Sequence, residues 1–139
     1  MTERTFVDTN VWVYTVDDAD PAKQARARAT VAPGPDVDLV VSAQVLTEFY
    51  VVTTRKLARP LTPEAGAALV EQLARLPVVP LDARLVTAAL AGSREWAISP
   101  WDALIIRAAE AAGCERLLSE DLAHGAVYGS VRVENPFRS

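Results

Sequence analysis

The sequence predicts an α/β fold, a mostly parallel central sheet of four to five strands covered by helices on both faces. Two patterns predict it. Short apolar runs alternate with helix-length stretches that open on capping residues. Strands joined through helices require right-handed crossovers, and so parallel neighbours. The 139 residues contain no repeat, low-complexity segment or interdomain linker, and half are apolar, enough for one buried core. A single domain over residues 1–139 is expected.

The elements follow in order. Thr5-Phe6-Val7 is a short strand and residues 10–16 a short helix. Asp20 caps a helix over 21–31, with Pro21 at its first position, where the missing N–H is not needed. Pro33-Gly34-Pro35 is a turn. Residues 38–41 form a second strand, and Ser42 caps a helix to about residue 57. Thr62 caps the next helix, which ends near residue 76. Val78-Val79 is a third strand, and Asp82 starts a helix to about residue 96. Ser99-Pro100 opens another, closed by Gly113 in a left-handed cap. Residues 116–118 form a fourth strand and 131–133 a fifth.

No apolar run is long enough to span a bilayer. The start, Met1-Thr2-Glu3-Arg4, lacks the shape of a signal peptide. Cys114 is the only cysteine, so no internal disulfide forms and the residue reads as a small buried hydrophobe. A cytoplasmic protein without membrane contact is expected. The net charge of -4 argues against a broad nucleic-acid-binding surface, which is normally basic. It does not exclude a nucleic-acid enzyme, because acids that hold divalent cations are neutralised when the cation binds.

In parallel sheets ligands bind beyond the carboxyl ends of the strands, and four acids fall in suitable places. Asp8 directly follows the first strand, Asp121 stands just beyond the fourth, and Asp102 lies in the first turn of the helix that opens at Ser99. Glu48 lies on or beside the apolar stripe Val45, Phe49, Val52, with no basic residue one turn away. A carboxylate buried there needs a cation, a hydrogen bond or a proton. Each acid also has a plainer reading: helix caps for Asp8 and Asp102, a turn acid for Asp121, a solvated helix position for Glu48. Taken together, the acids suit one or two magnesium or manganese ions, which prefer oxygen ligands and promote phosphodiester hydrolysis.

Four segments carry a family resemblance: Phe6-Val7-Asp8-Thr9-Asn10, Ser42-Ala43-Gln44-Val45-Leu46-Thr47-Glu48-Phe49, Ser99-Pro100-Trp101-Asp102-Ala103-Leu104-Ile105 and Leu117-Leu118-Ser119-Glu120-Asp121-Leu122. Ordered and spaced as they are, they resemble a PIN domain. The size and the closing Val133-Glu134-Asn135-Pro136-Phe137 are similar to VapC-type toxins of toxin–antitoxin pairs. The resemblance implies a three-layer α/β/α sandwich and endoribonucleolytic cleavage of RNA with Mg2+ or Mn2+. It implies Asp8 and Asp102 as the firmest metal ligands, Asp121 completing the pocket, and Glu48 binding directly or through water. Thr9, Asn10 and Ser119 would support them, and Glu120 is an alternative to Asp121. A cognate antitoxin is the implied protein partner, its C-terminal segment placing an arginine among the acids and a helix in the groove between residues 21–31 and 42–57. A homodimer is expected, with an aromatic patch near Trp12 and Tyr14.

Other chemistry fits poorly. His124 is the only histidine, which excludes a paired-histidine ribonuclease and, with one cysteine, makes zinc a poor fit. Ser119, Asp121 and His124 are too close in sequence to reach triad geometry readily. Neither a P-loop nor a GxGxxG motif is present. A haloacid-dehalogenase-like phosphatase would want an acid where Asn10 stands. Arg55, Lys56 and Arg59, and likewise Arg26 and Arg28, read either as phosphate contacts or as ordinary solvated positions. Trp12 and Tyr14 read as base-stacking, core or dimer residues, and Trp101 as structural. The alternative to a nuclease is a non-catalytic PIN-like module that binds protein or RNA, for which the loss of an acid would have argued.

Overall fold

The computed structural model describes residues 3–138. The expectation drawn from Met1 and Thr2 lies outside them. The elements are β1 (Arg4–Val7), α1 (Thr9–Val16), α2 (Pro21–Thr30), β2 (Asp38–Ser42), α3 (Ala43–Arg55), α4 (Pro63–Leu73), β3 (Val78–Val79), α5 (Ala83–Trp96), α6 (Pro100–Ala111), β4 (Arg116–Leu118), β5 (Val127–Tyr128) and β6 (Val131–Glu134). Asp20, Ser42, Thr62, Asp82 and Ser99 each cap a helix by accepting a backbone N–H three residues on. Gly113 adopts φ +74 just beyond α6, as a left-handed stop requires. Ala97 takes the same role after α5 at φ +55, a stop without glycine to announce it.

The strands form one sheet in the order β3-β2-β1-β4-β6-β5. All pairs are parallel except β5 with β6. Six strands therefore stand where four to five were expected. The extra one, β5, is two residues long and joins β6 through Gly129-Ser130, with Gly129 at φ +60. That turn makes a tight hairpin, and a strand so short carries no periodicity to detect.

The central strands are apolar on both faces: Phe6, Val7, Val40, Val41, Leu117, Leu118, Val131 and Val133 are all buried. This is the signature of parallel strands with helices above and below. Helices α1 to α4 pack among themselves, while α5 and α6 pair, α6 lying against β2, β4 and β6. The result is a three-layer α/β/α sandwich. Cys114 lies in its core, where burial pushes the thiol up to about 11. Among the described residues no helix is long and apolar enough to cross a membrane.

The strand order positions the site. From β1 the chain crosses to β2 and β3 on one side, then returns to place β4 and β6 on the other. The connections diverge at β1 and β4, and a crevice opens there beyond the carboxyl ends of the strands.

Candidate active site

The register Phe6 with Leu117 and Val7 with Leu118 brings the ends of β1 and β4 together, so that Asp8 stands beside Ser119. The Asp8 backbone N–H donates to the Leu118 carbonyl at 2.9 Å, extending the ladder by one residue into the crevice. The Asp8 carboxylate is only 6% exposed. It accepts from the Thr9 N–H at 2.7 Å, the Ser119 hydroxyl at 2.8 Å and the Asn10 amide at 3.4 Å. These bonds favour the ionised form, yet burial outweighs them and, with the nearby charges of Asp121 and Glu48, pushes the pKa up to about 6.

Glu48 sits on α3, half-buried. Its Oε2 accepts from the Thr9 hydroxyl at 3.1 Å and its Oε1 from the Gln44 amide at 2.7 Å. Gln44 stands one helical turn before Glu48, and its Nε2 also lies 3.4 Å from the Trp101 carbonyl. One buried amide thus ties α3 to the start of α6.

Asp102 lies in the first turn of α6, its N–H donating to the capping Ser99 oxygen at 3.0 Å. Ser99 and Asp102 thus form the expected helix cap, and the Asp102 carboxylate in turn bonds Ser99. Its pKa is raised by burial and by Asp121 and Glu48, against a hydrogen bond from Ser99. Asp121 is exposed, its N–H donating to Ser119 at 3.2 Å. Glu48 and Asp121 therefore each act electrostatically on both Asp8 and Asp102.

Glu120 faces elsewhere. Its carboxylate pairs with the Lys23 ammonium at 2.5 Å and accepts from the Tyr14 hydroxyl at 2.9 Å, while its N–H donates to the Asn10 side chain at 3.0 Å. The neighbouring acid is thereby committed to holding the loop after β4 against α1 and α2. Among the described residues, none of Asp8, Glu48, Asp102 and Asp121 forms an ion pair with Lys or Arg.

This donor set fits a hard divalent cation: oxygen ligands, one nearly buried and uncompensated by any positive side chain. The fit is one of chemistry and not of finished coordination. No three His, Cys, Asp or Glu side chains among the described residues stand in a metal-holding group.

Several other expectations change. Trp101, read as structural, is 66% exposed. Trp12, by contrast, is buried and donates its indole N–H to the Val7 carbonyl at 3.2 Å. Tyr14 is half-buried, edge-on to Phe137 at 4.8 Å between ring centroids. The expected aromatic patch is thus taken up internally. His124 accepts from the Asn135 N–H and Ser119 donates to Asp8, so no serine triad forms. Arg59 pairs with Asp18 and Arg28 donates to the Thr15 carbonyl, giving both structural partners. Sequence reading gave Gln44 no role, although its spacing of four from Glu48 is that of a facing pair on a helix. It overlooked Lys23, which no local pattern links to Glu120.

The sequence matches the PIN domain family over residues 5–129. No curated protein matches it. Solved structures share the fold. A toxin–antitoxin complex from Klebsiella pneumoniae aligns with TM-score 0.69 at 16% identity, covering 97% of this chain and 99% of that one. DNA-bound VapBC from Salmonella typhimurium gives 0.65 at 20% identity, covering 98% and 99%. VapC20 of Mycobacterium tuberculosis, a toxin that cleaves the sarcin–ricin loop, gives 0.61 at 21% identity, covering 81% and 86%. With the family matched from β1 to the hairpin of β5 and β6, the chain belongs to the PIN domain family.

Proposed function

We infer that the chain is a metal-dependent endoribonuclease hydrolysing RNA phosphodiester bonds, a single PIN-like domain that serves as the cytoplasmic toxin of a toxin–antitoxin pair. The observation that carries the reading is the Asp8 carboxylate, nearly buried, without a cationic partner and within electrostatic reach of Glu48 and Asp121. In this reading Asp8 and Asp102 hold Mg2+ or Mn2+, Asp121 completes the pocket, and Glu48 binds directly or through water. When bound, the ion supplies positive charge against the phosphate and activates the attacking water. Thr9 and Ser119 fix the Asp8 carboxylate, Asn10 ties the α1 start to the loop after β4, and Gln44 orients Glu48. Asp8 has to shed its proton to bind a cation, so cation binding weakens as pH falls.

The partners follow from the relatives. Toxin–antitoxin complexes among the structural neighbours support a cognate antitoxin. An apolar groove of about 590 Å3, lined by Trp12, Val16, Phe49, Leu69, Leu73 and Leu76, offers a seat for an amphipathic antitoxin helix. It is lined mainly by α1, α4 and the turns after α2 and α4, with one residue each from α2 and α3, and so is not the expected groove between α2 and α3, where α1 packs. An inserted arginine would relieve the repulsion among the acids. A homodimer belongs to the same reading.

A second reading, a non-catalytic RNA- or protein-binding module, draws support from the absence of a ready-made metal-holding group among the described residues. Incubation of the purified chain with single-stranded RNA separates the two. The nuclease reading expects cleavage with Mg2+ or Mn2+, its loss in EDTA, and a fall of at least about a hundredfold in Asp102→Ala. Undiminished cutting in excess chelator excludes the metal mechanism; no cutting under any condition favours the module.

A further inference from the structure

Trp101 is the most exposed large apolar side chain among the described residues, and it directly precedes Asp102. An indole in water has a cost that helix formation does not explain, because Ser99 and Pro100 already supply the cap and the first turn of α6. Trp101 forms one wall of a cleft of about 290 Å3, with Leu81, Val86, Leu90, Pro100 and Leu104 around it and no polar surface in its lining. That volume is just below the ~300–1,000 Å3 typical of small-molecule sites, enough for one flat ring system. The backbone that carries the indole is also tied to the acids. The Gln44 amide that donates to Glu48 lies 3.4 Å from the Trp101 carbonyl, and Asp102 is the next residue.

We propose that Trp101 and this cleft seat one unpaired base of the RNA strand whose phosphate lies at Asp102. The proposal rests on the nuclease reading and deepens it by assigning a substrate contact. Trp101 and Asp102 are consecutive in the first turn of α6, so a strand held at Asp102 would pass close to the indole. Bases stack on aromatic rings whatever their identity, and a lining without hydrogen-bonding groups reads none of their edges. The seat therefore selects unpaired over paired nucleotides and discriminates little among the four bases. Its contribution is to binding: the scissile phosphate is positioned by the base beside it.

Three proteins test this: wild type, Trp101→Ala, and Trp101→Phe, which keeps a ring but removes the fluorophore. Each is assayed with Mn2+ on a short single-stranded RNA, titrated with the same oligonucleotide while tryptophan emission is followed, and sized by light scattering. We expect KM to rise about tenfold or more in Trp101→Ala with kcat much less affected, and Trp101→Phe to restore most of the loss. RNA should quench wild-type emission, and that quenching should be absent from Trp101→Phe, whose remaining tryptophans are the buried Trp12 and half-buried Trp96. Normal cleavage by Trp101→Ala, with quenching that persists in Trp101→Phe, overturns the seat and leaves the nuclease reading intact. A wild type that neither cuts nor binds RNA overturns both. A halved mass in Trp101→Ala, with KM unchanged, assigns the cleft to a second copy of the chain and also overturns the proposal.

Discussion

At the scale of the residue, Asp8 shows how the fold holds a charge it does not neutralise. Three donors fix its carboxylate, yet burial still raises its pKa from 3.8 to about 6. A carboxyl whose folded pKa is raised contributes stability below its unfolded pKa, and that contribution is lost as pH rises through the folded value. Above about pH 6 the metal-free protein therefore carries an unfavourable charge of about 3 kcal/mol, from a shift near two units at 1.36 kcal/mol each. Replacing Asp8 with Asn removes the charge but gives up one acceptor, and should stabilise the metal-free protein by about 1–3 kcal/mol at pH 7.5. The gain should shrink as pH falls from 6 to below 4, where wild-type Asp8 is protonated too. Thermal melts of both proteins in EDTA across that range provide the check; a pH-independent difference would assign the effect to packing. Asp8 and Asp102 were legible because each follows a strand end or a helix cap. The orientation of Glu120 was not, because its partners Tyr14 and Lys23 lie 106 and 97 residues away in sequence.

At the scale of the element, the helix starts explain most of what could be read. Capping residues with proline at the first position marked α2, α4 and α6, and the boundaries hold to within a few residues. Helix ends were less legible: α4 stops at Leu73, ahead of the expected residue 76, through an irregular turn. The apolar stripe of α3 predicted that Glu48 would lie near the core, and Gln44 supplies the hydrogen bond that makes this tolerable. The packing of α3 on α4 depends on Gly66, which no sequence pattern singled out. A Cβ at that position would lie 2.6 Å from the Thr54 methyl, far inside contact distance. Gly66→Ala should therefore destabilise the fold by about 1–3 kcal/mol through overpacking, despite alanine's better helix propensity. Chemical denaturation measures it; equal or greater stability would show that the Thr54 side chain gives way without cost.

At the scale of the whole molecule, alternation of strands and helices conveyed the parallel sheet and its covered faces, and hence the crevice at β1 and β4. Alternation does not encode strand order, and it passed over the two-residue β5. Exposure was the least legible property: Trp12 and Trp101 are the same residue type near similar acids, yet one is buried under the sheet end and the other open to solvent. Only the third dimension distinguishes them. The central claim is that four acids from separate elements form one cation site. Calorimetric titration with Mn2+ at pH 7.5 tests it most directly, comparing wild type with an Asp8→Asn, Asp102→Asn double variant. The account predicts saturable binding to the wild type, weaker at pH 5.5 where protons compete for Asp8, and a loss of about tenfold or more in the folded double variant. Equal Mn2+ affinity in the two proteins, or no binding to the wild type, would contradict it.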